Sequence, residues 1–241
     1  MLEKYKSNLI VLILTGAAAL AIAIGIGRFS YTPILPYMLE ELSLGKTNGG
    51  LIASWNFFGY LFGSLISILS IFKKKIKFVF FISIIISLLT TIFMAFCEDI
   101  FLFIIIRFFA GLSSAFVLIF GTSLILPSIQ ALGKSSLGTA HFMGVGFGIL
   151  LSSILVSLLG SLGFVWSALW LGVTILALLL AIPVFIFTPN PLVSNETDKN
   201  LNISTRLGFN LITFSYGLYG FGYVVLFNFS LSFRKFRVCM E

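Results

Sequence analysis

Two arginines are the first residues in this chain to ask for a chemical explanation. Arg28 and Arg107 each lie inside long runs of apolar residues. At the centre of a bilayer an arginine costs about 2.5–3.5 kcal/mol on insertion scales. Such a cation either snorkels to the nearer headgroups or turns into a bundle interior or water-filled path, where it attracts an anion. Arg107 stands about eight residues from the outer start of its run, or about 12 Å deep, and Arg28 about eleven residues from the outer end of its own, or about 16 Å. These depths favour the interior reading for both. Asn56 lies at a similar depth on another run, about 12 Å from its outer end. It either bonds across to a neighbouring helix or touches a solute. Tyr31, Thr32 and Tyr60, close to these residues in sequence, are packing or interface side chains by default. His141 is the sole histidine. Its position about one to two turns into its run fits a hydrogen-bonded packing role or a proton relay.

Other chemistries lack their residues. No Asp, Glu or Lys lies well inside the apolar runs, so His141 has no acidic partner there. Intramembrane catalysis needs clustered nucleophile, base or metal ligands, and one histidine without carboxylates does not supply them. Cys97 and Cys239 have no CxxC or Cys/His spacing around them, so no metal and no cofactor is expected. Gly144-Val145-Gly146-Phe147-Gly148 lies in a hydrophobic stretch with no strand before it, and is no nucleotide loop.

The elements that must carry these residues are membrane helices. Only 10% of the 241 residues are charged and 59% are hydrophobic, 28 of them Phe, whereas a soluble domain has about 25% charged residues. A spanning helix needs about 20 mostly apolar residues. Seven stretches qualify: Leu9–Leu39, Gly49–Phe72, Phe78–Cys97, Ile100–Leu126, Leu137–Leu159, Gly163–Phe187 and Gly208–Phe229. The expected fold is therefore all-α and polytopic, with the lipid bilayer as its surroundings. The overlong first stretch should bend or end at Pro33 and Pro36. Gly59/Gly63, Gly111/Ala115 and Gly144/Gly148 have the small-xxx-small spacing that lets helices approach closely, and Gly146 extends the last of them.

Charge sets the direction of threading. With the N-terminus inside, the inner gaps hold Lys4, Lys6, Lys73, Lys74, Lys75, Lys77, Lys134, Lys199 and Arg206. The outer gaps before residue 230 hold Lys46 as their one cation, with Glu40, Glu41, Glu98 and Asp99. A cytoplasmic N-terminus follows from this Lys/Arg bias. The net charge of +7 thus belongs to topology, and nucleic acid is not an expected partner. The apolar run after Lys4 and Lys6 continues to Gly27, too long for the core of a signal peptide, and reads as an uncleaved first span. Thr188 to Leu207 reads as a solvated cytoplasmic linker between six spans and the seventh. The three Asn-x-Ser/Thr triplets, at Asn195, Asn202 and Asn228, read as chance matches. Arg234, Lys235 and Arg237 break the charge rule after the seventh stretch, and a frameshift or truncation near residue 226 is the expectation.

Several of these residues together resemble a family. Gly25-Ile26-Gly27-Arg28-Phe29-Ser30-Tyr31-Thr32-Pro33-Ile34-Leu35-Pro36 resembles the first-helix signature of the YbfB/YjiJ branch of the major facilitator superfamily. Asn56-Phe57-Phe58-Gly59-Tyr60-Leu61, Arg107-Phe108-Phe109-Ala110-Gly111, His141 with Gly144, Gly146 and Gly148, and Tyr219-Gly220-Phe221-Gly222-Tyr223 are similar to its second, fourth, fifth and seventh helices. The resemblance covers about residues 15 to 223. It implies a secondary transporter of the bacterial inner membrane, with twelve spans in two six-helix halves built from three-helix repeats. Residues 1–187 would be the N-terminal half, 188–207 the linker, and 208–241 a partial seventh helix with its basic tail.

By that analogy Arg28, Asn56 and Arg107 would line a central cavity, with Tyr31 and Tyr60 beside them, for a small and possibly anionic solute. His141 would be the candidate for proton coupling. Two departures accompany the resemblance. Ile71-Phe72-Lys73-Lys74-Lys75-Ile76-Lys77 lacks the acidic residue of the superfamily's gating loop, and the second half is missing. A homodimer, or association with a full-length transporter, would supply another cavity wall. The competing reading is a membrane interaction protein, or an inactive remnant, that carries no cargo.

The topology is checked by labelling single cysteines, placed at Lys75 or Glu98 in a chain with Cys97 and Cys239 changed to Ser, with a membrane-impermeant maleimide. The expected result is labelling of the Glu98 position from outside and of the Lys75 position only after the membrane is opened.

Overall fold

The computed structural model describes residues 8–72, 75–192, 211, 214 and 215. The chain divides into the units Met1–Leu192 and Val193–Glu241, and the account below concerns the first. The seventh apolar stretch, the basic tail, Cys239 and most of the linker lie outside the described residues, apart from the three positions just named.

Among the described residues, six helical segments are long and apolar enough to cross a membrane, and no strand occurs. The protein is a multi-pass membrane protein. The helices are α1 (Leu9–Leu20), α2 (Tyr31–Glu41), α3 (Lys46–Ile66), α4 (Ile76–Phe93), α5 (Ile100–Ala131), α6 (Met143–Ser161) and α7 (Trp166–Phe187). In a membrane every backbone polar group must be satisfied internally, which is why apolar sequence of this length becomes helix. Phe, Leu and Ile cover the outer faces: Leu14, Leu65, Phe101, Leu158 and Ile175 are exposed, as lipid-facing side chains are.

The first span is made of α1 and α2 with irregular backbone between them. Ala21–Ile26 is a π-helical segment, and Gly27–Ser30 forms a turn. The amides of Gly27 and Phe29 bond five residues back, to the carbonyls of Ile22 (2.8 Å) and Ile24 (3.1 Å). The bend therefore comes one turn before Pro33, whereas the sequence placed it at Pro33 and Pro36. The reason is steric: a proline ring clashes with the carbonyl four residues earlier and offers it no N–H, which for Pro33 is Phe29. Pro36 sits inside α2 without ending it.

Two more boundaries differ from expectation. α5 runs through Pro127 to Ala131, past the expected end at Leu126. His141 lies in a 3₁₀ turn, Ala140–Phe142, that leads into α6, rather than within the helix. Its Nδ1 bonds the Gly138 carbonyl in the preceding turn and its Nε2 meets Thr122 of α5, which holds the chain in a tighter turn until Met143.

Two close crossings organise the bundle. Spans two and four pack through α3 and α5. A Cβ on Gly59 would overlap the Phe108 carbonyl, one on Gly111 would overlap the Asn56 carbonyl, and one on Gly63 would stand 2.8 Å from the Leu112 oxygen. Spans one and five pack through α1, the π segment and α6. There a Cβ on Gly144 would overlap the Ala17 carbonyl and one on Gly148 would come within 2.8 Å of Ala21. Exchanging the first three spans for the second three maps one crossing onto the other. The packing of α4 on α5 and of α7 on α1 obeys the same exchange. The six spans therefore form two three-helix units packed in a three-plus-three pattern.

Polar ties hold its two ends. Glu41 Oε1 accepts the Trp166 amide (3.0 Å) at the start of α7. At the opposite end Lys77 Nζ donates to the Thr188 carbonyl (3.1 Å) and to Asn190 Oδ1 (2.8 Å), and Phe81 stacks on Phe185.

Substitution at the crossing separates close approach from helix propensity. Gly111→Ala should lower the unfolding temperature in detergent, because forcing a methyl into a packed contact costs about 1–3 kcal/mol. Gly146→Ala, where nothing lies within 4 Å, should leave it unchanged or raise it, since Ala exceeds Gly in helix propensity by about 0.8–1.0 kcal/mol. Scanning fluorimetry of the two variants is the check.

Candidate functional site

The break in the first span exposes backbone that must find partners inside the bundle. Arg107, on the second turn of α5, provides them. Its Nη1 donates to the Gly27 carbonyl and its Nη2 to the Arg28 carbonyl, both at 2.9 Å. The residue is 2% exposed, and its guanidinium lies 4.8 Å from the centre of the Tyr31 ring. The planar guanidinium fork suits such a pair of acceptors, and hydrogen bonds from charged donors are worth about 1.5–3 kcal/mol each. The acceptors also form the carbonyl end of a broken helix, which carries a partial charge near −0.5. Arg107 thus obtains much of its electrostatic compensation from the backbone of the first span.

Asn56 fixes the position of Arg107. Its Nδ2 donates to the Arg107 carbonyl at 3.0 Å, at the point where Gly59 and Gly111 bring α3 and α5 together. At 1% exposure it acts as the cross-helix bond that one of its two sequence readings describes. Tyr31 is 3% exposed, and its hydroxyl donates to the Gly49 carbonyl (2.9 Å). These three side chains form one buried polar knot joining α2, α3 and α5.

Arg28 stands beside this knot in a different setting. It is half-buried, and its guanidinium carbon lies 4.5 Å from the ring centres of both Phe57 and Tyr60, with Phe29 at 5.6 Å. Phe57 and Tyr60 are one turn apart on α3, and the guanidinium lies over both rings. Cation–π contacts reach about 2 kcal/mol when desolvated. Among the described residues no hydrogen bond or ion pair reaches this guanidinium, and its Nε is buried without a partner. Of the two arginines, Arg28 is the one whose terminal donors remain available.

His141 is elsewhere. Its Nδ1 lies 2.8 Å from the Gly138 carbonyl and its Nε2 3.3 Å from Thr122 Oγ1. A carbonyl only accepts, so Nδ1 carries the proton and Nε2 of the neutral ring accepts from the hydroxyl. The side chain is 1% exposed and packs where a Cβ on Gly16 would come within 2.9 Å of it. Gly16 precedes Arg28 by about twelve residues, or about 18 Å along the span, so His141 and the arginine knot are separate places.

Other groups contribute no further centre. Among the described residues no three His, Cys, Asp or Glu side chains converge as a metal site. The Cys97 thiol, in the loop before α5, is pushed up by burial and then by the nearby Asp99 carboxylate, which makes it a poor nucleophile at neutral pH. Sequence reasoning missed Phe57, the second face of the Arg28 clamp. Its spacing of three from Tyr60 was a usable signal, but in a chain with 28 Phe one exposed ring carries little weight.

Comparison with known families agrees with this geometry. Residues 20–237 match the family profile described as "Uncharacterised MFS-type transporter YbfB". The chain belongs to this family of major facilitator transporters. No curated protein and no solved structure matches it. Within the matched range lie the break in the first span, the Asn56 crossing and both arginines.

Stability measurements distinguish the two arginines. Arg107→Ala leaves the Gly27 and Arg28 carbonyls without their donor, and each buried polar group left unsatisfied costs about 1–3 kcal/mol. The expected outcome is a protein that unfolds at markedly lower temperature or fails to accumulate. Arg107→Lys should rescue it only partly, because an ammonium lacks the fork. Arg28→Ala should change the unfolding temperature far less. Thermal unfolding of the detergent-solubilised proteins reads all three.

Proposed function

We propose that this protein moves a small anionic solute across the bacterial inner membrane by alternating access, with its N-terminus in the cytoplasm. A gradient of an ion or of the solute itself drives the exchange. Arg28 carries the reading. It is a cation deep within the first span, clamped by Phe57 and Tyr60, with no counter-charge among the described residues. A charge at that depth does not face lipid stably, so the face of α3 that holds it looks onto a polar path. Arg107, Asn56 and Tyr31 then serve as the frame that sets Arg28 in place.

The six described spans form one wall of that path. We propose a further copy of this chain, or a full-length relative, as a second wall. The break at Gly27–Ser30 supports a role in movement as well as binding, because irregular backbone inside a membrane is tolerated where it lines a cavity. Discontinuous helices near the midplane are where transporters of this architecture place their sites.

Purified protein reconstituted in vesicles should take up at least one labelled small anion from a mixed panel. Arg28→Ala should reduce that uptake at least tenfold while the protein stays folded. Unchanged uptake of every anion tried would remove Arg28 from the mechanism. Crosslinking in the same vesicles reports the second wall: a dimer is expected when this chain is the sole protein present.

A further inference from the structure

We infer that the break in the first span is a hydration site, where bound water bonds side chains that have no protein partner. This goes beyond the transport reading and does not depend on which solute is carried.

Six buried side-chain nitrogen and oxygen atoms among the described residues have no hydrogen-bond partner, and five of them belong to residues around this turn: Arg28 Nε, Ser30 Oγ, Asn56 Oδ1, Ser87 Oγ and Arg107 Nε. Ser30, Asn56, Ser87 and Arg107 are each no more than 2% exposed. Their contacts tie them to one place. Arg28 and Ser30 are part of the turn itself. Arg107 bonds the carbonyls of Gly27 and Arg28, and Asn56 bonds the Arg107 carbonyl. Ser87 reaches the turn from α4, its Oγ 2.9 Å from where a Cβ on Gly27 would stand. The first four spans thus all bring unpaired polar atoms to one level of the bundle.

The two serines are exceptions in this chain. A helical hydroxyl commonly bonds a carbonyl three or four residues back, as those of Ser83, Ser113, Ser114, Ser152 and Thr174 do. A buried hydroxyl with no partner of any kind bears its full desolvation penalty. The chemistry of the five atoms selects the ligand. Both arginine nitrogens only donate. Asn56 gives its Nδ2 to a carbonyl, so the remaining amide oxygen only accepts. The hydroxyls do either. A halide has no proton to give Asn56, and a metal cation would meet two guanidinium groups. Water both gives and accepts, and a buried water makes about three hydrogen bonds to such groups, so about two waters complete the set. Because water exchanges, the turn keeps its polar groups satisfied while the span changes shape.

The test uses the full chain in lipid nanodiscs. Ser30→Ala and Ser87→Ala each remove one hydroxyl. Ser83→Ala, one turn from Ser87 on α4, is the reference, because the Ser83 hydroxyl already bonds the Val79 carbonyl. Removing a hydrated hydroxyl loses a bond, whereas removing a dry one relieves a penalty. Ser30→Ala and Ser87→Ala should therefore unfold about 2–4 °C below Ser83→Ala. Radiolytic hydroxyl-radical labelling of the native sequence reads the water itself, since radicals formed from bound water mark side chains that bulk water does not reach. Tyr31, 3% exposed and against the Arg107 guanidinium, should be oxidised at least tenfold faster than Trp170, which is 0% exposed and bonds Met38 Sδ. This readout holds even where a serine variant fails to accumulate. Either serine variant unfolding at or above the temperature of Ser83→Ala would overturn the inference. So would labelling of Tyr31 no faster than that of Trp170.

Discussion

The structure turns on a cation that completes a broken helix. The first span does not run straight: Pro33 has no N–H for the Phe29 carbonyl, which accepts the Thr32 amide instead (3.1 Å). The chain responds with a π segment and a turn that release backbone oxygens at membrane depth. Nothing in lipid satisfies such groups. The Arg107 guanidinium reaches two of them from α5, so the fourth span must lie against the first at that level. The position of α3 follows, since Asn56 bonds the Arg107 carbonyl and the glycines beside it admit backbone at contact distance. A defect in one helix thus fixes the relative placement of three spans.

That arrangement explains how an uncompensated arginine is tolerated next door. Arg28 belongs to the same turn whose carbonyls Arg107 holds, so its backbone is pinned while its side chain is free to project. Two rings of α3 then receive the guanidinium and limit its rotation. The division of labour has a clear physical basis. A buried cation whose two terminal nitrogens both bond backbone carbonyls is part of the scaffold, whereas the Arg28 guanidinium meets only ring faces among the described residues. Transport adds the requirement that the scaffold itself change shape. The same turn is the least regular backbone of the first span, which places the proposed anion contact within it.

The repeat relation between the two crossings adds a mechanical consequence. Spans two and four meet as spans five and one do, through glycines that bring backbone against backbone. Contacts of that kind tolerate little sliding, so each pair moves as a unit. The end ties made by Glu41 and Lys77 close the sixth span against the first and third.

The amino-acid sequence by itself determined that the chain is helical and membrane-embedded, and it placed the six described spans to within a few residues. Hydrophobic length and the spacing of cations are local properties, and the bilayer converts them directly into helix and topology. The same locality marked Arg28, Arg107 and Asn56, because a polar residue at depth is costly wherever it points. Tertiary structure alone decided what each of them does. Whether an arginine meets carbonyls or ring faces depends on which span crosses it, and residues eighty positions apart, such as Arg107 and Gly27, leave no trace of their pairing in a linear pattern. The bend fell a turn before its proline, and His141 fell outside its helix, for the related reason that backbone geometry answers to hydrogen-bond partners supplied by other segments.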